Sequence, residues 1–245
     1  MIVIKNLKKS FNGFEVLKGV NLTIPSHKIT FIMGLSGTGK SVLLKHIIGL
    51  LKPDSGEIWF EDKDITKLSE KELRKIRRKI GYLFQEGALF DSMTVEENVA
   101  FPLKEHFKMK KKEIKKRVDE LLEAVNLLHA KKKYPSELSG GMRKRAALAR
   151  TLALKPEVVL FDEPTTGLDP ILQNSILALI KKLKETYNLT CIIISHDLHL
   201  AFKYADFIAF LHKGVIIEKG SPEEIKKSRI EFVQEFIKSG ILLES

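Results

Sequence analysis

The chain has 245 residues, of which 44% are hydrophobic and 30% charged. That is enough apolar content to bury the core of one large domain or two small ones, and too much for wholesale disorder. With 15 Gly and 8 Pro it is neither fibrous nor linker-dominated, and a single cysteine, Cys191, excludes an internal disulfide and Cys-based zinc or iron–sulfur sites. Lys and Arg outnumber Asp and Glu by 42 to 31, a net charge of +11 that suits an anionic partner such as nucleic acid, nucleotide or lipid headgroups.

Strands and helices alternate along the chain. The first 30 residues read as short strands joined by turns, with a strand at 2–4 and a turn at Phe11-Asn12-Gly13. A second turn, Pro53-Asp54-Ser55-Gly56, leads into a strand at 58–60. Together they predict a small antiparallel sheet over about 1–28 and 55–68. β-rich apolar runs at 29–33, 80–84, 158–161, 191–194, 207–211 and 215–218 predict a second sheet. Amphipathic stretches at 40–50, 69–79, 110–126, 140–153 and 172–186 predict helices. Strand–helix alternation of this kind argues for an α/β fold with a mostly parallel sheet. Residues 29–54, 69–85 and 153–220 would form its core, 86–152 a helical insert and 221–245 a short tail. No run approaches the ~20 apolar residues of a membrane span, and the first ten residues lack a signal-peptide core. The densest basic run, 104–117, holds eight Lys and Arg against two Glu. It reads either as a solvated helix face or as a contact with anionic headgroups.

The strongest chemical signal is Gly34-Leu35-Ser36-Gly37-Thr38-Gly39-Lys40-Ser41, a match to the phosphate-binding loop G-x-x-x-x-G-K-[ST]. It follows the strand 29–33 and opens a helix. The glycines let the backbone wrap a phosphate, and successive N–H groups at a helix start offer partial positive charge. Lys40 adds a full charge, and the Ser41 hydroxyl can ligate Mg²⁺. The second element is Val158-Val159-Leu160-Phe161-Asp162-Glu163, a buried strand ending in two carboxylates at the edge where open α/β sheets bind ligands. Asp162 is placed to hold Mg²⁺ and Glu163 to take a proton from an attacking water. The third is Leu138-Ser139-Gly140-Gly141-Met142 before a helix, a further anion-binding nest. One nucleotide does not need two such nests, which hints at a second molecule whose nest covers the phosphate of the first.

In this order the phosphate loop, LSGG, VVLFDE, Gly167-Leu168-Asp169 and Ser195-His196-Asp197 resemble the ATP-binding subunit of ABC transporters over essentially the whole chain. The resemblance implies a single P-loop NTPase (ABC ATPase) domain, with ATP and Mg²⁺ as cofactors. It implies that Phe11 stacks on adenine and that Gln85 senses Mg²⁺ and the attacking water. Leu35, Ser36, Thr38 and Val42 join the phosphate loop, and His196 contacts the γ-phosphate. Ser139, Gly140 and Gly141 meet that phosphate across a head-to-tail dimer of two copies, with Asp169 in the loop linking the sites. Met142 departs from the usual LSGGQ.

The segments 37–45, 83–99 and 101–106 together with LSGGM are similar to one subgroup, the Mla-type ATPases of lipid-trafficking transporters, in which a signature-end Met is normal. That implies a cytoplasmic chain, peripheral on the inner membrane, paired with permeases and an MCE-type lipid-binding subunit, moving phospholipid between membranes. Apolar Ala88, Leu89, Phe90 and Met93 within 86–99 either form a groove for the permease or pack into the core of the helical insert. A different cargo, an amino acid or lipoprotein, is the alternative. An ATPase acting on ribosome or nucleic acid fits the charge, but the chain holds one unit and no heptad run, so no nucleic-acid partner is expected.

Overall fold

At Asn12-Gly13 both residues have positive φ, +50° and +81°, the backbone of the tight hairpin turn that asparagine and glycine favour. The turn sets Phe11 opposite Phe14 and joins β1 (Ile2–Phe11) to β2 (Phe14–Ile24). The computed structural model describes residues 1–242. They divide into two units, residues 1–77 with 190–242 and residues 78–189.

In the first unit, β1 and β2 belong to an antiparallel sheet of order β2-β1-β4-β5, with β4 Ser55–Phe60 and β5 Lys63–Asp64. Gly56 of β4 has φ +93°, and a Cβ there would lie 2.4 Å from the Asn6 carbonyl oxygen. Only glycine allows β4 to approach β1 this closely. The unit's other strands are β3 (Ile29–Met33), β8 (Thr190–Ile194), β9 (Phe207–His212) and β10 (Val215–Gly220). β3 runs parallel to both β8 and β9, and β10 closes a hairpin on β9. Every residue of β3 and β8 is buried, which is why ITFIM and TCIII are near-continuously apolar rather than alternating. The helices of this unit are α1 (Lys40–Ile47), α2 (Glu70–Lys79, whose last two residues belong to the second unit), α7 (Leu198–Tyr204), α8 (Pro222–Lys226) and α9 (Glu231–Leu242). The expected tail from residue 221 thus carries two helices, and its last three positions lie outside the described residues.

The second unit pairs β6 (Ile80–Leu83) parallel to β7 (Val158–Asp162), with Tyr82 opposite Leu160. Its helices are α3 (Val95–His106), α4 (Lys111–Ala124), α5 (Gly140–Thr151) and α6 (Pro170–Tyr187). Several starts are chemically marked. Thr94 and Glu97 form a reciprocal capping box on α3, Ser139 accepts from the Met142 amide on α5, and Asp169 accepts from Ile171 and Leu172 on α6. Helix α3 carries Pro102 in its interior, which hides it from a reading of helical periodicity. Leu103, Val99 and Val95 on its buried face hold the turn despite the missing N–H.

Candidate functional site

The candidate residues fall in both units and are described unit by unit. In the first, β3 delivers the chain into the loop 34–39. Gly34 has φ +151°, and a Cβ on it would lie 2.3 Å from the backbone oxygen of Leu211, while Gly37 has φ +78° in open space. The first glycine is therefore demanded by a neighbouring strand and the second by its own backbone. Gly39 (φ 97°) is the left-handed cap from which α1 starts at Lys40, with no acidic residue in the first turn. The free amides and dipole of that start favour an anion. The Lys40 ammonium is buried and donates to the Gly34 and Leu35 carbonyls, both at 2.8 Å. It thereby crosses the loop from within. The Thr38 hydroxyl ties back to the Leu35 carbonyl at 2.8 Å. Leu35, Ser36 and Gly37 are exposed, and Ser41 and Val42 are half-buried.

Phe11 closes β1 with 41% of its surface exposed, and the Lys9 ammonium lies 5.4 Å from its ring centre. An aromatic face so presented can stack on a base. His196 is exposed immediately after β8. The next residue, Asp197, caps α7 by accepting from Leu200, and its own amide donates to the Ser195 hydroxyl.

In the second unit Asp162 ends β7 and Glu163 follows it, both half-buried. The Tyr82 hydroxyl donates to Asp162 Oδ2 at 2.8 Å. Burial first, and then this bond, push the Tyr82 phenol well above its ordinary value, so it stays a donor at every physiological pH. Glu163 has φ +48°, a left-handed conformation that costs a non-glycine residue about 1 kcal/mol or more and gathers at functional sites. The Thr166 hydroxyl donates to Glu163 Oε2 at 2.7 Å, fixing the direction of the carboxylate.

Gln85 is exposed beyond β6. Its carbonyl accepts from the Lys144 ammonium of α5. Burial lowers the Lys144 pKa against the opposing pull of Glu86 and Glu163. Arg150, also on α5, donates to the Gly87 and Ala88 carbonyls, both at 2.8 Å, with its guanidinium 5.7 Å from the Phe90 ring centre. Helix α5 therefore grips the run 85–90 by its backbone. Asn98 of α3, fully buried, accepts from the Phe90 amide and donates to the carbonyls of Phe90, Met93 and Thr94. Between these clasps Phe90 and Phe84 each stand 42% exposed. Ala88 is exposed too, while Leu89 and Met93 are half-buried.

At the start of α5, Ser139 is exposed and Gly140 and Gly141 sit against Leu168 and Leu172, with 3.2 and 3.5 Å to a Cβ built on them. Asp169 is exposed, and its carboxylate is engaged in capping α6. Sequence reasoning missed Tyr82, Asn98, Lys144, Arg150 and Thr166. Only Thr166 carries a local signal, its spacing of three residues from Glu163. Among the described residues no group of three or more His, Cys, Asp or Glu is placed to hold a metal. No described helix is long and apolar enough to cross a membrane.

A phosphate loop entering a helix from a buried parallel strand, with a paired carboxylate ending another such strand, defines a P-loop nucleotide hydrolase. The profile of the ABC transporter family matches residues 17–166. The chain belongs to that family, as its ATP-binding, ATP-hydrolysing subunit. It is 44% identical over 97% of its length to the "Intermembrane phospholipid transport system ATP-binding protein MlaF" of Haemophilus influenzae, covering 90% of that protein. It is 44% identical over 90% of its length to the "Methionine import ATP-binding protein MetN" of Carboxydothermus hydrogenoformans, covering 66% of it. Among solved structures it is similar to the dimeric ATP-binding cassette MJ0796 in a post-hydrolysis state bound to ADP and Pi. That match has a TM-score of 0.83 and 36% identity, over 91% of this chain and 99% of that one. A further likeness is cbiO1 of Clostridium perfringens, part of the cbiONQ transporter, with a TM-score of 0.86 and 34% identity over 100% and 98% of the two chains.

Proposed function

We propose that this subunit drives phospholipid trafficking between membranes, as an Mla-type ATPase. It would sit peripherally on the cytoplasmic face of a membrane and work as a head-to-tail pair of copies. The amides of 34–39 and the Lys40 ammonium would bind the β- and γ-phosphates, and Phe11 would stack on the adenine. The Ser41 hydroxyl, the Asp162 carboxylate and the Gln85 amide are hard oxygen donors. They fit Mg²⁺, which takes few protein ligands beside phosphate and water. When bound, Mg²⁺ would neutralise charge on the β- and γ-phosphates.

Water then attacks the γ-phosphorus, its bond to the ADP oxygen breaks, and Glu163 accepts the proton. His196 contacts the γ-phosphate on one side. Ser139, Gly140 and Gly141 of the second copy contact it on the other, with Asp169 in the loop that links the two sites. The observation that carries the hydrolytic role is Glu163 itself: left-handed, adjacent to Asp162 and directed by Thr166. Glu163→Gln is expected to keep ATP binding while lowering turnover about 10²–10⁴-fold, the range of general-base effects. Turnover at the wild-type rate would remove Glu163 from the base role.

The run 86–99, with exposed Phe90, is the docking surface for the permease, and an MCE-type subunit belongs to the same complex. The phospholipid cargo is supported by the likeness to the protein named MlaF over 97% of the chain. The likeness to the methionine importer supports an amino-acid cargo as the second reading. The test is purification of tagged Glu163→Gln chain from native membranes with ATP in mild detergent, followed by mass spectrometry of proteins and lipids. A permease recovered with an MCE-type subunit and phospholipid supports the proposal. A different permease without that subunit replaces the cargo. Ribosomes or nucleic acid with no membrane protein would overturn the transporter role.

A further inference from the structure

We propose that the tip joining α3 to α4 is a docking surface for an anionic phospholipid bilayer. This rests on the assignment to a membrane transporter but not on its cargo. The run 104–117 carries eight Lys and Arg against two Glu, more than half of the chain's net charge. Lys108, Lys110, Lys111, Lys112, Lys115 and Lys116 are all exposed. None of these six has an ion-pair partner among the described residues. The Glu113 carboxylate is turned back to cap α4 at the Lys110 amide, 2.8 Å away, and ion-pairs with none of the six.

A solvated helix face accounts for lysines but not for what lies among them. Phe107, directly past the end of α3, is 44% exposed. It lines a groove of about 400 Å³ with Leu103, Met109 and Ala153, bordered by three cationic side chains and by Glu113 and Glu120. Exposed apolar side chains among a net-cationic surround match the layering of a bilayer surface, with phosphate above hydrocarbon. The tip lies at the far end of α3, about 18 Å for its 12 residues, from the start of that helix, which falls within the 86–99 run at which we place the permease. One membrane-embedded partner and the lipid around it can therefore meet the same helix at its two ends. The ordinary pairing of charge complementarity with an apolar wedge then anchors the subunit. Each lysine near an anionic surface is worth roughly fivefold in partitioning, and the effect is screened beyond a Debye length of about 8 Å at physiological ionic strength.

The experiment is flotation of the purified full chain with vesicles of phosphatidylcholine alone or with about 30% phosphatidylglycerol, enough to give the surface a negative potential, at low and physiological salt. We expect binding to the anionic vesicles only, weakened by salt. Replacing Lys108, Lys110, Lys111 and Lys112 with Glu should lower it at least about tenfold, with ATP hydrolysis unchanged as evidence of folding. In a Phe107→Trp variant that also carries Trp59→Phe, emission should shift to the blue on adding anionic vesicles. Equal flotation of wild type and charge-reversed chain would overturn the proposal. So would emission from the Phe107→Trp variant that stays unmoved by vesicles that bind the chain, or retention on RNA with none on anionic vesicles. A failed cargo assignment leaves all these readouts in place.

Discussion

Replacing Tyr82 with Phe removes one oxygen and leaves the ring packed against Phe84, 4.4 Å between centres. The lost bond is the 2.8 Å donation to Asp162 Oδ2. A hydrogen bond to a charged acceptor contributes about 1.5–3 kcal/mol when shielded. Tyr82 is half-buried and water can replace part of it, so a stability loss of about 1–2 kcal/mol is expected. With Asp162 in the Mg²⁺-holding role we propose, the functional loss should be larger, because partners that orient a metal-holding carboxylate are worth roughly 10–100-fold in metal affinity or activity. The assay is ATP hydrolysis against Mg²⁺ concentration, where the half-maximal point should rise by about that factor. A pH series gives a second readout. The folded phenol titrates above its ordinary value of 10.0, so the stabilisation is fully present below pH 10 and is lost as the pH rises beyond it. The melting difference between wild type and variant should be constant from about pH 6 to 9 and shrink above about pH 10. An unchanged Mg²⁺ requirement together with a difference that does not shrink in alkali would refute the role assigned to this phenol.

Asn98→Ala strands the Phe90 amide and the carbonyls that Asn98 serves. It should cost about 2–4 kcal/mol, lower the melting midpoint by about 4–16 °C for a chain of this size, and speed hydrogen exchange at the Phe90 amide. Retained protection there would argue against the clasp. Gly34→Ala and Gly37→Ala should differ sharply. The first drives a Cβ into the Leu211 backbone at 2.3 Å and should abolish nucleotide binding by calorimetry. The second meets nothing within 4 Å and should cost only the left-handed backbone, about 1–2 kcal/mol. Equal effects would mean that the Gly34 neighbourhood is soft.

Some features of this protein are written locally and are legible in the chain itself. The phosphate loop is one: its nest depends on glycines with positive φ within a few residues of Lys40, although Gly34 is also required by the distant Leu211 backbone. The double-sided burial of β3 and β8 is another, announced by ITFIM and TCIII. So are the Asn12-Gly13 hairpin and the Ser139 cap, since turn and cap chemistry involves neighbours along the chain. What surrounds these motifs follows from how distant segments pack. Tyr82 and Asp162 are 80 positions apart, Lys144 and Gln85 are 59, and Arg150 and Ala88 are 62. Those pairs meet because β6 lies parallel to β7 in one register and α5 packs beside them, and no periodicity in the chain encodes a register. Helix α3 is hidden for a related reason, because burial of one face carries it past Pro102 against local propensity. Local chemistry thus sets which groups can bind phosphate and move a proton. Long-range packing selects the side chains that hold those groups still, because a supporting hydrogen bond needs only a donor at the right point in space, from anywhere in the chain.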